Sequence, residues 1–78
     1  MRLNIPGDNF FETPLWWQNF VMHCEELHPS IHGKDFYKLT AKILKNEYNA
    51  IKIYEDDALI GLEFVNPAMI SFFMLKWS

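Results

Sequence analysis

Apolar residues recur at helical spacing through the first part of the chain and alternate at strand spacing through the rest. Trp16, Phe20, His23 and Leu27 lie on one face of a helix predicted from about Pro14 to Leu27. Thr13-Pro14 supplies its start: the Thr13 hydroxyl is placed to cap the first free amides, and proline at the first helical position lacks an amide that would go unpaired. Pro29 ends it by forcing the preceding residue out of helical geometry. After a connection over Ser30 to Gly33, Phe36, Leu39 and Ile43 repeat at three- and four-residue spacing, which predicts a second helix from Lys34 to about Glu47. From Ala50 the period becomes two, with Ile51 and Ile53 alternating with Lys52 and Tyr54. The Glu55-Asp56-Asp57 cluster then marks a turn, and Ala58 to Val65 reads as the return strand. Asn66-Pro67 reads as a second turn and Met69 to Trp77 as the last strand. Arg2 to Ile5, closed by Pro6-Gly7, is a candidate extra strand. The expected fold class is α+β: two helices packed on a three-stranded antiparallel β-meander.

A length of 78 residues implies one small domain (1–78), because two cores would each bury too little apolar area to offset chain entropy. Half of the residues are hydrophobic, and seven Phe, three Tyr and three Trp allow a core built from few large side chains. Cys24 is the sole cysteine, which excludes an intramolecular disulfide framework and fits a reducing compartment. Residues 1–7 hold one Arg and no apolar run, so no secretory signal is read there, and the expected location is the cytoplasm. The apolar stretch from Ala58 to Leu75 is interrupted by Glu63, Asn66 and Pro67, which rules against a membrane span. A net charge of −3 has the wrong sign for a generally basic nucleic-acid binder, so any electrostatic function must be local.

Local features then supply the candidates. Lys34, Lys38, Lys42 and Lys45 fall in one stripe of the second helix, the candidate contact for phosphates and the basis of an alternative reading as a nucleic-acid-binding module. Leu15 and Met22 fall inside the polar side of the first helix and need a cover, either the chain's own Leu3, Ile5, Phe10 or Phe11, or a partner. In the expected last strand, Ile70, Phe72 and Met74 point one way while Phe73, Leu75 and Trp77 point the other, leaving one apolar face to be covered by the N-terminal segment, a second copy of the chain or another protein. Phe73, Leu75 and Trp77, with Leu15 and Met22, are therefore the expected anchors of a protein interface. The acidic Glu55, Asp56 and Asp57 read as a solvated turn without the spacing of a calcium loop. His23, Cys24, His28 and His32 lie close in sequence, but a helix and the Pro29 reversal keep them from converging, so no metal site is expected. His28 and His32 would be the first ligands if zinc bound. No nucleophile elbow, paired-carboxylate cleft or phosphate-cradling glycine loop is present, so no enzyme and no cofactor are expected.

Two short stretches, His28-Pro29-Ser30-Ile31-His32-Gly33-Lys34 and Asn66-Pro67-Ala68 through Phe73, resemble pieces of the GCN5-related acetyltransferase family. That resemblance implies a loop whose backbone amides hold the pyrophosphate of acetyl-CoA. Here His32 stands at the Arg/Gln position of the loop, and Asp35 and Tyr37 stand at its two small-residue positions, where charge and bulk oppose an approaching anion. A degenerate acetyltransferase-like fragment is thus an alternative. The leading expectation is a small non-enzymatic adaptor or inhibitor that binds another protein, with a second copy of itself as the other candidate partner.

Overall fold

The strand that follows the acidic turn organises the chain. In the computed structural model, which describes residues 1–7 and 9–78, the elements run β1 (Arg2–Asn4), a 3-10 turn (Phe10–Glu12), α1 (Leu15–Leu27), α2 (Lys34–Tyr48), β2 (Ala50–Glu55), β3 (Ala58–Phe64) and α3 (Pro67–Trp77). β3 is central in an antiparallel sheet of order β1-β3-β2. The α+β class holds, with three helices in place of two, and the third strand is the N-terminal segment.

The segment expected as the last strand is α3, which corrects the meander. Asn66 is its N-cap, the side-chain oxygen accepting from the Ala68 amide at 3.0 Å, and Pro67 follows at the first helical position. The alternation read over Met69 to Trp77 arose because nearly every residue there is apolar, so any period could be fitted to it.

The β2–β3 hairpin turns on Asp56 and Asp57, whose φ values of 51° and 64° are both left-handed, the pattern of a two-residue type I′ turn. Aspartate tolerates that region better than most residues, so the turn itself explains these two acidic residues. On the way out of the turn the register slips between Ile53 and Tyr54. Ile53 pairs with Gly61 and Tyr54 with Leu59, leaving Ile60 as an extra residue that bulges the strand. Gly61 lets β1 dock: a Cβ there would lie 2.7 Å from the Leu3 carbonyl oxygen. Gly7 (φ 121°) is likewise held against the backbone of Glu12.

The helices bury one side of the sheet. Phe20, Cys24, Leu44, Tyr48, Ala50, Leu62, Phe64 and Phe73 form the middle of a single cluster, with Ile5 and Trp17 at its margin. The Phe73 ring lies 4.9 Å from Tyr48, 5.3 Å from Phe20, 5.8 Å from Trp16 and 5.9 Å from Phe64. The Trp77 indole donates to the Tyr48 hydroxyl at 3.1 Å, which lets both amphipathic rings join the core with their polar atoms paired. Because α1 has to cover both the sheet and α3, its buried residues are Trp17, Phe20 and Cys24, with Trp16 and Val21 half-buried. His23 and Leu27, expected on the core face, are exposed. On α2 the buried line runs through Thr40, Leu44 and Tyr48, flanked by Phe36 and Ile43. None of the described helices is long and apolar enough to cross a membrane.

Candidate functional site

Two features of this architecture offer binding surface. The first is the outward side of α1 and α3. Leu15, Asn19, Met22 and Glu26 form one stripe of α1, and the Asn19 side-chain amide donates to the Trp77 carbonyl at 2.8 Å, so the stripe runs directly beside α3. Across from it, α3 is apolar on its outer side as well as its inner one. Leu75 is 83% exposed and Phe72 55%, against 63% for Leu15 and 50% for Met22. The N-terminal segment does not cover Leu15 and Met22: Ile5 and, in part, Leu3 and Phe10 enter the core, while Phe11 stays in solvent. Of the expected anchors, Leu75, Leu15 and Met22 are at the surface and Trp77 is half-buried against Phe20 and His23. Phe73 is fully buried. It is a core residue and no surface anchor, because on a helix it points opposite to Leu75, whereas strand geometry would have put both on one face.

The second feature is a groove. α1 packs on α3 and α2 packs on β2, and the two helices touch each other little. Between them lie two adjoining hollows of about 410 and 560 Å³, which share Phe10, Val21, Phe36 and Tyr37 as walls. The smaller one is floored by the sheet, through Lys52, Tyr54 and Leu59, and closed by Trp17 and Thr40. The larger one runs toward the α1–α2 connection, past Glu25, His28, Ile31 and His32.

Lys52 is the residue that sequence reasoning missed. Alternation over β2 sets Ile51 and Ile53 on one face and Lys52 and Tyr54 on the other without saying which face meets the helices; in the structure Lys52 pairs across from Leu62 on the helix side, and Ile51 is exposed on the bare face. The ammonium donates to the Thr40 hydroxyl at 2.6 Å and to the Tyr37 carbonyl at 3.3 Å, and it lies 5.6 Å from the centre of the Tyr37 ring. Thr40 in turn donates to the same Tyr37 carbonyl at 2.9 Å. Burial holds the Lys52 pKa below its ordinary value, with Cys24 acting in the opposite sense. The same burial pushes the Cys24 thiol up to about 11, assisted by the carboxylates of Glu47 and Glu25 and opposed by Lys52. Burial, and then Tyr37, raises the Tyr54 phenol.

The remaining candidates are dispersed. Lys34, Lys38, Lys42 and Lys45 are all exposed on the outer side of α2, where Lys45 reaches the Asn49 side chain at 3.3 Å. His28 and His32 line the larger hollow, His23 sits against the Trp77 ring with centroids 4.9 Å apart, and Cys24 is in the core. Among the described residues, no three or more His, Cys, Asp or Glu side chains gather as a metal site would need. No family model, curated protein or solved structure matches the chain.

Proposed function

We propose that this protein is a non-enzymatic protein-binding module whose contact surface is the outward side of α1 and α3. The observation that carries this reading is the two-sided apolarity of α3. Phe73 and Met69 serve the core, yet Leu75 and Phe72 on the other sides of the same helix are open to water, as are Leu15 and Met22 on the α1 stripe that meets α3 at Trp77. An ordinary surface helix carries one apolar stripe and is polar elsewhere. A helix apolar all round signals a further apolar neighbour, and large adjoining patches of this kind mark protein contacts. Leu75, Leu15 and Met22 are the anchors under this reading, with Phe72 on the flank nearest Tyr48, where the two rings lie 6.1 Å apart.

The test is native mass spectrometry of tagged protein captured gently from its own cells, beside a Leu75→Asp variant. A stoichiometric second protein is expected with the parent chain. It should be lost, or weakened by at least about tenfold, with the variant, whose circular dichroism and melting temperature should match the parent's. A variant that keeps the partner, or a parent chain that appears only as a bare monomer, would overturn the reading; a symmetric dimer lost in the variant would reassign the same surface to self-assembly.

A further inference from the structure

The groove between α1 and α2 holds a cation, Lys52, that no carboxylate among the described residues pairs with. Lys52 springs from β2 on the covered side of the sheet, in the row of Leu3 and Leu62, and its ammonium reaches Thr40 and Tyr37 of α2 in the hollow that Trp17 and Phe36 also line. Among the described residues its acceptors are one hydroxyl and one carbonyl, both neutral, which leaves one of its three N–H groups without a partner among them. No carboxylate among the described residues lies within 4 Å of it, although Asp57 lines the same hollow and Glu25 the adjoining one. A lysine that serves only stability would reach out to water along its flexible stem. This one turns inward and is held by two hydrogen bonds beneath apolar and aromatic walls. The burial cost it bears, seen in its lowered pKa, is relieved when an anion arrives.

We propose that the groove binds a small carboxylic acid with an apolar body, the carboxylate seated on the Lys52 ammonium and the hydrocarbon lying between α1 and α2 against Val21, Phe36 and Phe10. The charge sets the head of the ligand and the walls set its tail. The open volume is that of an ordinary small-molecule pocket, concave and mostly apolar with a few polar groups at one place. A monoanion suits the site better than a phosphate. One ammonium with a single free N–H satisfies one carboxylate oxygen, and the carboxylates of Asp57 and Glu25 on the lining oppose higher negative charge. The site is separate from the outward surface of α1 and α3, since it uses the opposite flank of α1.

The experiment is a ¹H–¹⁵N NMR titration, with calorimetry alongside, using three probes of one chain length: sodium decanoate, decan-1-ol and decylammonium chloride. Decanoate is expected to bind saturably and to shift the amides of Val21, Phe36, Tyr37, Thr40 and Lys52. Decanol should bind about tenfold or more weakly and decylammonium not at all, because a charge-assisted hydrogen bond contributes roughly 1.5–3 kcal/mol, a factor of about ten or more in affinity. Lys52→Met keeps the stem in the same space and should erase the preference for decanoate over decanol. Equal binding of decanoate and decylammonium by the parent chain, no saturable shift at the groove amides up to about 1 mM decanoate (a standard binding free energy of roughly −4 kcal/mol), or undiminished decanoate binding by Lys52→Met would each overturn the proposal. The comparison of probes on the parent chain needs no variant to fold.

Discussion

Truncating Phe73 to Ala separates a core role from an interface role. Phe73 is fully buried and its ring meets four others, those of Trp16, Phe20, Tyr48 and Phe64, so it joins α1, the end of α2, the central strand and its own helix. Removing a buried Phe ring costs about 3–5 kcal/mol, the lost transfer energy plus the cavity left behind. Each oriented ring pair adds roughly 0.5–1.5 kcal/mol beyond area, which places this residue in the upper part of that range. A domain of this size has about 4–12 kcal/mol of stability in all, so Phe73→Ala should leave it marginal. With a slope near 1 kcal/mol/M for a small protein in urea, the midpoint should fall by about 3 M or more. At the C-terminal end of the same helix Leu75 is in water, and Leu75→Ala should change stability by no more than about 0.5 kcal/mol. Equilibrium urea unfolding followed by circular dichroism measures both. A loss below about 1.5 kcal/mol for Phe73→Ala, or equal losses for the two variants, would refute the assignment of Phe73 to the core and the helical geometry that requires it.

Two further outcomes follow from the backbone and from the buried thiol. Gly61→Ala forces a Cβ to within 2.7 Å of the Leu3 carbonyl oxygen; the expected loss is about 1–3 kcal/mol, with faster hydrogen exchange at Ile5, whose amide bonds the Ile60 carbonyl at 2.8 Å. The Cys24 thiol, raised from 9.0 to about 11 in the folded chain, loses its proton first in the unfolded chain. Its contribution is therefore complete below pH 9.0 and declines as pH rises toward 11. Urea midpoints measured from pH 8 to 11 should fall less steeply in Cys24→Ala than in the parent, and the native thiol should resist a disulfide reagent at pH 8 until urea exposes it.

Much of the fold was legible because the relevant signals are local. The bounds of α2, β2 and β3 agree with the predicted ones to within a residue, since amphipathic spacing, a two-residue acidic turn and a change of period all act over a few residues. α1 was placed correctly, although its cap works differently: the Pro14 carbonyl accepts from Trp17 and Gln18, and the Thr13 hydroxyl turns back to Phe10. The failure at α3 has a specific cause. Asn66-Pro67 has the same form as Thr13-Pro14, a short polar residue followed by proline, yet the apolar run behind it shows no polar face to settle the period. From that one error came the misplaced Phe73; the helical face of α1 was drawn too far toward His23 and Leu27 on its own spacing, before α3 was there to be covered.

The sequence by itself determined the class of fold, the hairpin, the extents of α1 and α2 and the excess of apolar surface over what one small core can absorb. Only the tertiary structure decided where that excess goes. Pairing of β1 with β3 draws Ile5 inward and leaves Phe11 out, a long-range choice made where Gly61 removes a side chain. The facing of β2 is of the same kind: alternation states that Ile51 and Lys52 face opposite ways, but which of them faces the helices is set by register against β3. That register, fixed by the two-residue turn and the bulge at Ile60, turns a lysine toward the helices and an isoleucine into water. A period of two carries no sign, and the sign is supplied by the neighbouring strand.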